Sequence, residues 1–241
     1  MCTVSVVAHR TGVRLICNRD ELRTRPEAII PKECRVGSGR ALFPRDPLGG
    51  GTWIGVNQSG LIATLLNRSD GDARSSDTQL TTRGAIVPQL LESQSIDRAL
   101  AQAIALPSNR FSPFRIVLVQ GHVMWTVTGG GGHRAVVRGG RLSAPRVVSS
   151  SALGDGLVEG PRRRLFDQLL ARYPGRPLKA QAMFHRHQWR RRLAISVLMS
   201  RQDARTVSRT EVDVNFAPEW VGMLYQPLPE SPRLAGLGHK E

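Results

Sequence analysis

Along the first third of the chain, short apolar runs alternate with polar punctuation at the spacing of strands and tight turns. Thr3 to Val7 and Val13 to Cys17 flank Ala8 to Gly12, which predicts a hairpin with a glycine in its turn. Trp53 to Val56 and Leu61 to Leu66 predict a second hairpin around Asn57 to Gly60. Between the two, Arg23 to Pro47 is rich in proline, arginine and glycine and reads as a long loop. Arg68 to Thr82 is polar throughout and reads as a flexible loop.

The period then changes. Ala85 to Leu91 puts Ile86, Val87, Leu90 and Leu91 on one helical face, and Ile96, Ala99, Leu100, Ala103 and Ile104 recur at helical spacing behind Ser95, an N-cap residue type. Strands resume at Phe114 to Val119, Val123 to Val127 and Ala135 to Arg138, separated by glycines. A third helix is predicted from near Pro161, a residue favoured at a first helical position, to the stop at Tyr173-Pro174-Gly175. Leu193 to Met199 and Val207 to Val214 read as late strands. Clustered strands with segregated helices predict an α+β fold of largely antiparallel sheets, a single domain over residues 1–225 with a flexible tail over 226–241.

Composition narrows the functional classes. A chain of 241 residues can bury a sizeable core, and no apolar stretch approaches the length of a membrane span. The N-terminus lacks a basic region followed by an apolar one, so a cytoplasmic protein without a membrane span is expected. Cys2, Cys17 and Cys34 are an odd number without metal-ligand spacing; free thiols and no metal site follow. The net charge of +15 invites a nucleic-acid reading. However, only Lys32, Lys179 and Lys240 are lysines, the 31 arginines are spread along the chain, and aromatics make up 5%. With few stacking platforms and no recognised module, no specific nucleic-acid partner is expected, only weak adsorption to polyanions. Gly49 to Gly51 and Gly129 to Gly132 lead into strands, so neither reads as a phosphate loop.

Cys2 carries the sharpest chemistry. Removal of Met1 would leave it with a thiol and a free α-amine, whose ordinary pKa values of about 8.5 and about 8 permit proton exchange near neutrality. The first hairpin would bring Cys2 beside Asn18-Arg19-Asp20-Glu21. There Arg19 would stabilise the thiolate or orient a carboxylate, and Asp20 would hold the amine. The bland alternatives are a small buried cysteine and a surface Arg–Asp pair. Adjacent Arg19 and Asp20 point to opposite faces if both are extended. Asn67 and Arg68 end another apolar run, where an amide can donate to a developing oxyanion or simply open a loop.

Met1-Cys2, Cys17-Asn18-Arg19-Asp20-Glu21 with Arg25-Pro26, Gly50 to Gly55, Leu66-Asn67 and Arg83-Gly84 together resemble the NRDE family, the transport and Golgi organisation protein 2 group. The ordered matches cover about the first 90 residues; Ser149 to Ala152 before Pro161, and Ser200 to Thr210, resemble later family segments more loosely. The resemblance implies an Ntn-hydrolase-like four-layer αββα sandwich. Bile-salt hydrolases and penicillin acylases are similar in starting Met-Cys with an Arg and an Asp soon after, although they separate those two residues.

By that analogy Cys2, Arg19, Asp20 and Asn67 are the catalytic candidates, with Cys2 attacking a non-peptide amide and its own amine as base. Asn18, Trp53 (also a core candidate), Arg68, Ser151 and Arg209 are the substrate-binding candidates, with Arg205 the alternative late arginine. The family tends to carry Asn where this chain has Ser150 or Ser151. The resemblance also implies a non-catalytic alternative, the binding and trafficking of haem or an acyl-CoA-like lipid. No cofactor is required; for haem as a bound ligand, His185, His187, Met183 and Met199 are candidate iron ligands by chemistry. Phe184 to Arg192 offers arginines for propionates or phosphates, or is a solvated basic loop.

Overall fold

Alternation along the first hairpin sorts its side chains onto two faces, and the rest of the molecule is built against each. The computed structural model describes residues 2–68, 80–217 and 219–229. β1 (Cys2–His9) and β2 (Gly12–Leu22) pair antiparallel, with Cys2 opposite Arg19 and Val4 opposite Cys17. They lie within a five-stranded sheet ordered β10 (Arg146–Ser149), β1, β2, β11 (Ala204–Phe216), β12 (Glu219–Pro227). The second sheet has seven strands in sequence order: β3 (Ile29–Val36), β4 (Gly39–Arg45), β5 (Ile54–Asn57), β6 (Ile62–Asn67), β7 (Phe114–Gln120), β8 (Val123–Gly130) and β9 (His133–Arg141). Every ladder among the described residues is antiparallel.

Three apolar layers hold these sheets. Between them lie Val4, Val6, Leu15 and Cys17 from one sheet and Ile54, Ile62, Leu66, Val117 and Val119 from the other. The outer face of the seven-stranded sheet, with Leu61, Ala63, Leu65, Ile116 and Leu118, is covered by α1 (Ile86–Leu90) and α2 (Ile96–Ile104). On the outer face of the five-stranded sheet, Val7 packs with Leu165 and Phe166 of α3 (Asp155–Arg172) and Phe184 of α4 (Pro177–His185). Each such large side chain taken from water contributes about 1.5–3 kcal/mol. The result is the αββα sandwich that the resemblance implied.

Several expectations need correction. Arg23 to Pro47 is not a loop, because it contains the β3–β4 hairpin. β3 is an edge strand, which explains both its exposed polar sequence and its tolerance of Pro31 beside a register shift. The third helix starts at Asp155, so Pro161 lies inside it. Leu193 to Met199 is a short 3₁₀ turn and irregular chain. Val197 is drawn into the helical layer, and the carbonyls of Ile195, Ser196 and Val197 accept from the buried side chains of Arg162 and Asn18 rather than from a ladder. α4, β10 and β12 went unpredicted, and Gln226 and Pro227 of the expected tail belong to β12. The rest of that tail from residue 230, and most of the polar loop, residues 69–79, lie outside the described residues.

Candidate active site

The register of β1 on β2 places Cys2 directly across from Arg19 at one end of the five-stranded sheet. Cross-strand partners share a face, and both belong to the face that meets the other sheet. β11 continues the row, setting Ser208 against Arg19 and Thr210 against Cys17. Ser150, just beyond β10, closes the other side: its hydroxyl accepts from the Cys2 backbone nitrogen at 3.2 Å, and its own N–H donates to the Cys2 carbonyl at 3.0 Å.

Arg19 is 5% exposed and firmly held. Its Nη2 lies 3.3 Å from both Glu21 and Asp46, and its guanidinium carbon sits 4.2 Å from the centre of the Trp53 ring. Burial pushes the Asp46 carboxyl up, but the Arg25 hydrogen bond, the Leu48 amide and the nearby guanidiniums outweigh it and leave Asp46 below the usual range. Sequence reasoning missed Asp46, which is 27 positions from Arg19 in a segment read as loop.

The Cys2 thiol is buried, and a hydrogen bond with the Cys17 thiol holds its pKa below the ordinary value against the opposing effect of burial. The same bond, reinforced by burial, pushes Cys17 well up. Thus Cys17 is the donor and Cys2 the better thiolate. Among the described residues three buried polar atoms facing this region have no hydrogen-bond partner: Ser208 Oγ, Thr210 Oγ1 and Trp53 Nε1. Buried groups of this kind cost about 1–3 kcal/mol each if left unmade, so they single out a place where polar ligand atoms are welcome.

Alternation sends the neighbouring candidates elsewhere. Asn18 and Asp20 leave β2 on the helical side. Asn18 donates to the carbonyls of His185 and Val197 at 3.0 and 3.1 Å and therefore locks α4 and the 195–199 segment to the sheet. Asp20 accepts from Thr206 at 2.6 Å. Burial raises the Asp20 pKa, partly offset by Arg162. Arg162 is itself buried, donating to Thr3 Oγ1 at 2.7 Å, Ser196 O at 2.7 Å and Ile195 O at 3.2 Å. Asp20 therefore underlies the cysteine strand from behind, and Arg162 is a functional-site neighbour that sequence spacing gave no means to find.

Asn67 pairs with Phe114, whose ring lies in the outer core under α1 and α2, so its side chain leaves the sheet away from Cys2. Arg68, by contrast, approaches Asp155 at 3.6 Å on the inner side. Ser151 serves the start of α3, its N–H donating to Asp155 and its hydroxyl accepting from Leu153; Ser150 is the serine beside Cys2. Arg209 pairs with Asn18 on the helical side and bonds Gln226, away from the cysteine, and Arg205 is turned to the carbonyl of Leu228.

Two of the four haem-ligand candidates, His185 and Met183, do not come together. His185 is fully buried, its two ring nitrogens bonded to Ser5 Oγ at 2.7 Å and Asn18 Oδ1 at 3.0 Å, while Met183 is exposed on α4. Burial holds the His185 pKa well below its ordinary value, with Arg209 and Arg162 adding to the effect, so the ring is neutral. Among the described residues no three His, Cys, Asp or Glu side chains gather as metal ligands, and no helix is long and apolar enough to cross a membrane.

A family model described as Transport and Golgi organisation 2 matches residues 1–149. The chain belongs to that family. A search of curated protein sequences finds no match. Among solved structures, a Caenorhabditis elegans ortholog of N-acylethanolamine-hydrolyzing acid amidase is similar with a TM-score of 0.65 at 14% identity, over 95% of this chain and 100% of that one. A mutant conjugated bile acid hydrolase from Clostridium perfringens is similar with a TM-score of 0.48 at 11% identity, over 99% of each chain. The chain thus shares an Ntn-hydrolase-like fold of two antiparallel sheets with that amidase.

Proposed function

We propose that this protein is an amidohydrolase acting on non-peptide C–N bonds, with Cys2 as an N-terminal nucleophile after loss of Met1. The observation that carries the reading is the placement of a buried, acid-shifted Cys2 directly opposite Arg19 at the sheet end, with Ser150 on its nitrogen. In the reaction, the Cys2 thiolate adds to the amide carbonyl and its α-amine takes up the thiol proton. Collapse of the tetrahedral adduct expels the amine, which receives that proton, and leaves a thioester. Water then hydrolyses the thioester and restores the thiol. Arg19, held by Asp46, Glu21 and Trp53, supplies a fixed positive charge beside the sulfur, and the unpartnered Ser208, Thr210 and Trp53 donors lie where a polar substrate end would settle. Asp20 acts from behind the strand as a positioning group. Free buried thiols support a reducing, cytoplasmic setting.

The test combines intact mass, a thiol-reactive probe and a panel of amides that includes N-acylethanolamines. The expected result is a chain lacking Met1, selective labelling of Cys2, and turnover abolished in Cys2→Ala with the fold retained. Equal turnover by Cys2→Ala would refute the reading. A chain that keeps Met1, forms no adduct at Cys2 and binds haem or acyl-CoA would favour non-catalytic carriage instead.

A further inference from the structure

A second polar region lies beside the sandwich's other open edge. Between β8 and β9 of one sheet and β10 of the other, with α3 along one side, runs a cleft of about 950 Å³. Its inner end is charge-balanced: Arg115 meets Glu159 at 2.8 Å and Asp155 at 3.6 Å, and Arg68 meets the same Asp155. Its outer part is not. Arg138 and Arg141 on β9, Arg146 on β10 and Arg163 on α3 all line it, and among the described residues none of the four is paired with a carboxylate. Guanidiniums brought from three separate elements to line one cleft make a positively charged wall, all four exposed to solvent, and their fork geometry suits phosphoryl oxygens.

Two other features define the ligand. At Gly140 on β9 a side chain would meet nothing within 4 Å, and at Gly160 on α3 it would meet only the Arg164 guanidinium, so both walls leave space at the level of the arginines. Met124 and Leu142 reach the cleft from the inter-sheet core, and Val136, 52% exposed, adds an apolar rim on β9. The site is therefore charged at its mouth and apolar along its floor, at a volume typical of small-molecule pockets.

We propose that this cleft binds a small amphiphile carrying two or more linked phosphoryl groups, its phosphates held by Arg138, Arg141, Arg146 and Arg163 and its apolar portion laid on Met124, Leu142 and Val136. Four guanidiniums lining one cleft match a multiply charged head better than a single carboxylate, which could engage only one or two of them. The cleft's inner boundary at Ser149 is one residue from Ser150, which places the bound molecule next to the cysteine end of the sheet without depending on any reaction there.

Calorimetric titration of the full chain with geranyl pyrophosphate, inorganic pyrophosphate and geraniol tests both halves of the site. Geranyl pyrophosphate is expected to bind one per chain, at least tenfold tighter than either fragment, and equally well in Cys2→Ala. Arg138→Glu combined with Arg163→Glu is expected to weaken it at least a hundredfold. The control, Arg190→Glu combined with Arg191→Glu, changes the net charge equally on the exposed segment after α4 and is expected to leave affinity within threefold. Arg141→Glu with Arg146→Glu repeats the test should the first pair melt early. Equal weakening by cleft and control pairs would reduce the effect to net charge and overturn the proposal. Pyrophosphate or geraniol binding as tightly as the conjugate, or full competition by a short single-stranded oligonucleotide, would overturn it as well.

Discussion

Replacing Arg162 with methionine removes a buried cation that ties three parts of the structure together while keeping most of the side chain's apolar length. Its guanidinium donates to Thr3 next to the cysteine, to Ile195 and to Ser196, and it is the leading favourable charge for the buried Asp20 carboxylate. Removing one partner from such an arrangement costs about 3–5 kcal/mol, because the carboxylate and three acceptors stay buried. The pH dependence carries the sharper test. Asp20 already has a raised pKa in the folded chain, so its contribution to stability falls as pH rises from the ordinary carboxylate value of 3.8 through the folded value. Losing Arg162 lifts that folded value further. Each added unit costs about 1.4 kcal/mol at a pH above both folded values and nothing at a pH below them. Urea unfolding of the wild type, Arg162→Met, Asp20→Asn and the double variant at pH 5 and pH 8 measures this. The deficit of Arg162→Met should be larger at pH 8, and Asp20→Asn should remove most of that difference. A deficit equal at both pH values, or additive single variants, would refute the argument that Arg162 acts through Asp20.

Two further outcomes follow from the cysteine pair and the glycine contact. Cys17→Ala removes the thiol that donates to Cys2, so the Cys2 pKa should rise and its alkylation by iodoacetamide at pH 7 should slow severalfold; an unchanged pH–rate profile would show that the Cys17 thiol does not support the Cys2 thiolate. Gly51 lies against Gly84, where an added Cβ would fall 2.4 Å from the backbone carbonyl, and Thr52 N–H donates to Gly84 O at 3.0 Å. Gly51→Ala should destabilise the chain by about 1–3 kcal/mol, visible as a lowered thermal midpoint, because the two backbones must separate.

The Gly51–Gly84 contact also shows how far a sequence reaches. Gly-Gly-Thr-Trp and Arg-Gly were legible as matching motifs, but that they touch was not. The first hairpin was legible as two apolar runs about a short polar break, but its strands are longer than those runs: the turn is Arg10-Thr11, Gly12 already pairs with His9, and β2 continues through Leu22, which sets Cys2 opposite Arg19 and sends Arg19 and Asp20 to opposite faces. The same alternation, applied one residue further, separates Asn18 from Cys17 and Asn67 from Leu66, so two of the expected site residues could have been excluded on period alone. α1 and α2 were equally clear because their apolar faces recur at helical spacing.

What lay outside the sequence is what depends on distant pairing. β3 is an edge strand with one ladder, so its sequence carries charge and proline rather than an apolar pattern, whereas β12, an edge of the other sheet, does alternate Val221, Met223 and Tyr225 toward the inter-sheet core. Asp46, Ser150, Arg162 and Ser208 reach the cysteine region only because separate strands and a helix converge there, and no local spacing records that convergence. Local periodicity decided the faces of the elements; the order of strands across each sheet, set by burial of the layers between and outside them, decided which residues share a site.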